Sequence, residues 1–119
     1  METKEIALLF NDFAIPIIQK EKRIRDKKEI LQLIVFAWNF SYWEENKREQ
    51  YFNKLKEHYI SINKSENEIE SKINKIKDII KQKEKFCPHI KNQILESKIH
   101  FFGSKVIINL EISEYDGKK

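Results

Sequence analysis

Apolar residues recur at helical spacing from the start of the chain. Ile6, Leu9, Phe10, Phe13 and Ile17 share one face and predict a helix over residues 4–14. Pro16 ends that helix, kinks it, or serves as the first-turn residue of a continuation through Gln19. A second helix is expected to open at Asp26, with Glu29 three residues on as its capping-box partner, and to run through "EILQLIVFAWNFSYW". The alternation of Phe36, Trp38, Phe40 and Tyr42 also fits a strand, but the pattern continues for about eighteen residues without a turn residue. Length decides for helix. Phe36, Phe40 and Trp43 then share one face and Trp38 and Tyr42 the opposite one, which predicts an element buried among its neighbours.

Phe52, Leu55, Tyr59 and Ile62 form the stripe of a third helix. The sequence leaves open a break near Asn46; one unbroken helix of about 35 residues would be long for a chain of this size. Ser65 opens a fourth helix with Glu68 at the capping-box position. Its narrow seam of Ile69, Ile73, Ile76 and Ile80 is expected to pack on the third helix as an antiparallel hairpin. Acidic Glu66, Glu68 and Glu70 at its start, with Lys81, Lys83 and Lys85 at its end, suit the helix dipole.

After "FCPH" the period changes from helical to alternating. "QILESKIHFFGSKVIINLEIS" reads as two strands around Gly103-Ser104. Val106, Ile108, Leu110 and Ile112 alternate with Ile107, Asn109, Glu111 and Ser113, so one face is core and the other mostly wet. The expected fold class is α+β: about four helices in a bundle, then a C-terminal antiparallel β-hairpin. Residues 1–113 are expected to form one domain, with 114–119 a polar tail.

Composition narrows the setting. The chain is 40% hydrophobic and 35% charged, which predicts a globular protein with a highly charged surface. Its longest apolar stretch, residues 30–43, holds Gln32, Asn39 and Ser41 and is too short to span a bilayer. Ile6 to Phe10 runs straight into Asn11 and Asp12, which is no secretory signal. A lone cysteine, Cys87, cannot form an internal disulfide and fits a reducing cytoplasm. Twenty lysines against three arginines, with twenty isoleucines and nine asparagines, point to an AT-rich coding genome, so lysine abundance carries little functional meaning.

The net charge of +4 is spread thinly, with each of four successive charged segments carrying one excess positive charge. "KEKRIRDKK", residues 20–28, is the main local concentration. Lys20, Lys22, Arg23, Arg25, Lys27 and Lys28 are its candidates for nucleic-acid contact, and Lys77, Lys81 and Lys85 of the fourth helix extend them. Interleaved Glu21 and Asp26 weaken that role, and a solvated connector is the simpler account.

The aromatic cluster "FAWNFSYW" lacks the interleaved basic residues of a base-stacking platform, since no Lys or Arg occurs from residue 30 to residue 46. It reads mostly as core. Tyr42 and Trp43, next to the charged run, are the rings best placed to dock a protein. Asn39 among them must be hydrogen-bonded if buried, and so fixes packing or caps a neighbouring backbone group.

Catalytic and metal chemistry find little support. Cys87 and His89 lack the spacing of a zinc site, and neither a neighbouring base nor an oxyanion hole accompanies the cysteine. Glu96-Ser97-Lys98 has the E-x-K form of metal-dependent nucleases but lacks a preceding acidic strand. No glycine precedes Gly103, so no phosphate loop is present.

No cofactor and no metal is expected, and the chain leans away from enzymatic function. Its expected role is binding another protein or a second copy of itself. The candidate residues are Ile108, Leu110 and Ile112 on the hairpin edge, with Tyr42 and Trp43 at the aromatic end of the second helix. Nucleic-acid binding through residues 20–28 is the alternative.

Overall fold

The computed structural model describes residues 2–41, 43–90 and 92–113. Four helices come first, α1 (Thr3–Gln19), α2 (Ile24–Phe40), α3 (Glu45–Ser61) and α4 (Glu66–Phe86), then β1 (Ile94–Phe102) and β2 (Lys105–Ile112). The α+β layout is the one expected. One continuous core draws on all six elements. Among the described residues no helix is long and apolar enough to cross a membrane.

Helix α1 runs past Pro16 to Gln19. Proline removes the N–H that would bond to the carbonyl of Asp12, but both residues are exposed, so solvation rather than burial is open to that carbonyl. Buried Ile18 secures the final turn. Helix α2 starts two residues before the expected Asp26. Arg23 occupies its N-cap without a side-chain bond, and Asp26 sits in the first turn, where a negative charge meets the dipole. The capping box expected there does not form.

A break separates α2 from α3. Ser41 caps α2 and Glu44 precedes α3, so the charged run after Trp43 belongs to a new helix. Helix α3 ends on Asn63, whose φ of 65° is left-handed. The N–H of Lys64 bonds Tyr59 O and that of Asn63 bonds Ile60 O, both at 3.0 Å, which is a Schellman ending with asparagine in the usual glycine position. Ser65 then caps α4 by accepting from the N–H of Glu68 at 3.2 Å, as its sequence predicts.

The isoleucine seam of α4 is buried, but its broadest contact is with α2 and only a lesser one with α3. The expected α3–α4 contact is therefore present, but α2 is the larger partner of the seam. Phe52 and Tyr59 are the only buried residues α3 offers, whereas α2 is apolar on both sides. Helix α2 is the central element. Trp38 lies fully buried on it, edge-on to Phe10 of α1 at 5.2 Å between ring centroids. Its indole N–H donates to Asn92 O at 3.2 Å, tying the segment that leads into the hairpin.

Both strands of the hairpin pack on this base, β2 against α1 and β1 against α2. Gly103 has a φ of 61° while Ser104 lacks a positive φ, the dihedral pattern of a type II′ turn. Pairing runs from Phe102 with Lys105 to Ile94 with Ile112, broken by one irregularity between Ile94 and Glu96.

Candidate binding edge

The hairpin's outer edges follow from its register. A two-residue turn closes on a hydrogen-bonded pair, here Phe102 with Lys105. Antiparallel pairs alternate, so His100–Ile107, Lys98–Asn109 and Glu96–Glu111 are bonded too. The N–H and C=O of Ser97, Ile99 and Phe101 on β1, and of Val106, Ile108 and Leu110 on β2, therefore point away from the hairpin. Among the described residues no third strand covers either edge.

Two asparagines touch these edges. Asn11 of α1 donates to Ile108 O at 3.3 Å, and to Ala7 O at 2.8 Å. Asn39 of α2 donates to Ile94 O at 3.0 Å and accepts from the Ile94 N–H at 2.8 Å. Ser113 donates its N–H to Gln93 O, so the next pair, Ile94 with Ile112, has outward main-chain groups. Asn39 meets those of Ile94. The backbone-capping role expected of Asn39 is what its amide performs.

The three candidate residues on β2 are placed differently from one another. Ile108 is buried, while Leu110 and Ile112 are half-buried against the core. Their side chains are committed to packing within the chain, and what they present outward is main chain. On the opposite, wet face lie Glu96, Lys98 and His100 with Ile107, Asn109 and Glu111, all exposed, and Phe102 and Ile107 are its exposed apolar residues near the turn.

The second candidate surface is the corner after α2. Trp43 is half-buried. It stacks on Phe40 at 5.1 Å and 24° and lies 4.3 Å from Tyr51, with Lys47 Nζ 5.0 Å over its ring. Phe40 in turn meets Phe52 edge-on at 5.5 Å. The cluster is therefore largely core, and Trp43 is its half-open end. Tyr42, the other candidate there, lies outside the described residues.

Of the basic segment, Lys20, Lys22, Arg23, Arg25 and Lys28 are exposed. Lys27 instead folds back and donates to Ile18 O and Glu21 O, closing the α1–α2 turn. Acidic neighbours take part of the rest: Arg25 pairs with Asp26 at 3.6 Å, while Glu21 reaches Lys75 at 3.5 Å. Lys77, Lys81 and Lys85 are exposed on α4, with Lys77 turned to the ring of Phe52 on α3.

The remaining sequence candidates separate. Burial pushes the Cys87 thiol up in pKa, against an opposing pull from the charge of Lys83, and His89 is exposed. Among the described residues no group of three His, Cys, Asp or Glu is placed to hold a metal ion. Glu96 faces Glu111 across the hairpin, with Lys98 beside it, all on the open wet face.

No family model, no curated protein and no solved structure matches this chain.

Sequence reasoning gave Asn11 no structural role and counted Lys83 only among the charges that suit the dipole of α4. Lys83 is 1% exposed, donates to Ile90 O at 2.7 Å and lies 4.9 Å over Trp38. Its position gave a hint, since Lys83 follows Ile76 and Ile80 on the apolar seam of α4. Asn11 carried a weaker one, a polar residue one position after buried Phe10.

Proposed function

We propose that this chain is a small protein-binding module without catalysis of its own, an adaptor, inhibitor or subunit of a complex. It acts through the edges of its C-terminal hairpin, with the Trp43 corner as a second contact. The observation that carries this reading is the row of outward main-chain groups on a two-stranded sheet. Such groups form hydrogen bonds with any extended segment laid alongside, which gives affinity without a deep pocket. A cytoplasmic setting belongs to the same reading, since the one cysteine has no second cysteine to pair with.

The test is capture from native lysate on tagged protein, washed at low and then high salt, beside the variant Leu110→Pro. The Leu110 N–H points outward, so proline there removes an edge donor while leaving every hairpin bond in place. One stoichiometric protein that survives high salt and is lost with Leu110→Pro, at unchanged circular dichroism, is the expected result. Nucleic acid released as salt rises would replace this reading with contact through the exposed members of residues 20–28.

A further inference from the structure

We propose that the β2 edge pairs with a second copy of this chain, strand to strand and antiparallel, about a two-fold axis at Ile108. The inference rests on the edge-binding reading above and names its occupant.

Register and charge select the partner. An axis at Ile108 sets Val106 against the second copy's Leu110, Ile108 against its own counterpart, and Leu110 against the second copy's Val106. These are the residues whose N–H and C=O point outward, so each pair closes two bonds. The same axis sets Lys105 against the second copy's Glu111, and symmetry repeats that ion pair. Both residues are exposed on the wet face and would meet in non-bonded pairs, where cross-strand side chains approach closest. Ile107, 45% exposed in the single chain, would be covered beside Asn109.

Neighbouring registers lack this match. An axis at Ile107 sets that residue on itself and Lys105 on Asn109. An axis at Asn109 sets Ile107 on Glu111.

Strand β1 offers no equivalent. An axis at Ile99 sets Lys98 against His100, and one at Lys98 sets two lysines together. The axis at Ser97 would pair Glu96 with Lys98, but it runs Ile99 onto Leu95 at the register irregularity. Asn39 already occupies the main chain of Ile94. Pairing through β2 alone is isologous and stops at two copies, whereas β1-to-β2 pairing would propagate into a fibre. On β2, Asn11 donates to Ile108 O at 3.3 Å and would have to give up that bond for the central pair to close, keeping its bond to Ala7 O, whereas Asn39 would lose both of its bonds to Ile94.

The test is sedimentation of the full chain over a wide concentration range, for the natural sequence and for Lys105→Glu, Glu111→Lys and the double swap. The natural chain should dimerise. Each single reversal should weaken association about tenfold or more, since two attractive pairs become repulsive, and the double swap should restore it. Circular dichroism checks that each variant folds. Register is read separately: chains with Ile107→Cys should cross-link to chains with Asn109→Cys only when mixed.

A natural chain that stays monomeric, or a dimer indifferent to both reversals, overturns the proposal. If that monomer still captures a protein that Leu110→Pro loses, the edge-binding reading stands and self-pairing alone fails. If it captures nothing, both fail.

Discussion

The side-chain amide of Asn39 treats the main chain of Ile94 as a neighbouring strand would, accepting from its N–H at 2.8 Å and donating to its C=O at 3.0 Å. One helix residue thus ends the open edge of β1 where it meets the bundle. Asn39→Ala should cost about 1–3 kcal/mol, because it strands two partly buried main-chain groups. Urea denaturation measures the loss, and amide exchange at Ile94 should quicken. Asn39→Asp keeps the acceptor but cannot donate, so Ile94 O still lacks its partner and rescue should be partial.

Arg48 joins three elements. Its guanidinium donates to Phe40 O at 2.9 Å and to Ser41 O, and pairs with Glu84 at 3.2 Å. A cation on the last carbonyls of α2 opposes the negative end of its dipole. Arg48→Ala should destabilise the fold by about 1–3 kcal/mol, and Arg48→Lys should recover little, because an ammonium lacks the planar fork that spans two carbonyls. Thermal denaturation of the two variants side by side checks the difference.

Lys83 is buried yet holds the chain reversal after α4 through Ile90 O. Lys83→Ala removes both the donor and the packed stem, and should cost about 2–5 kcal/mol. Lys83→Met keeps the stem and should recover a substantial part. Should the two variants prove equally unstable in urea, the ammonium rather than the stem holds this segment.

Two groups make stability fall at alkaline pH. Burial raises the pKa of Cys87 above that of a free thiol, and burial, then the charge of Glu29, raises that of Tyr59 above that of a free phenol. Each is neutral when protonated, and the folded state holds the proton more tightly than the unfolded chain does. Their contribution is full below the unfolded pKa values and is lost as pH rises through the folded ones. Urea midpoints should therefore drop from about pH 8.5 upward, where an unfolded thiol begins to ionise. The drop should be shallower in Cys87→Ala and in Tyr59→Phe, each compared with its own value at pH 7.

What the sequence disclosed follows the range of the forces involved. The hairpin, its turn at Gly103-Ser104 and its inward face of Val106, Ile108, Leu110 and Ile112 were legible because a period of two and a turn residue are local signals. The Ser65 cap was legible for the same reason. The choice of α2 over α3 as the main partner of α4 was not, since an isoleucine seam fits any apolar face and only the assembled bundle shows which face is broader. The start of α2 was misplaced because Asp26 serves a first turn as well as it serves a cap. In the sequence Lys27 is one more charge of the basic segment, and only the fold brings it back onto the carbonyls of Ile18 and Glu21. The candidate edge was visible as a strand, but which of its groups face outward depends on register.

The irregularity between Ile94 and Glu96 sets the phase of everything after it on β1. With Leu95 as the additional residue, Ile94 is buried and Ile99 and Phe101 remain on the covered side, while Glu96, Lys98 and His100 face water. Strict alternation from Ile94 would put the charged set inward and the apolar set outward. Leu95, itself 59% exposed, thus acts as a parity switch. Deleting Leu95 would therefore leave Ile94 and Glu96 on opposite faces in unbroken alternation, keeping both core and register, whereas straightening the strand with Leu95 still in place would turn over the seven positions that follow it.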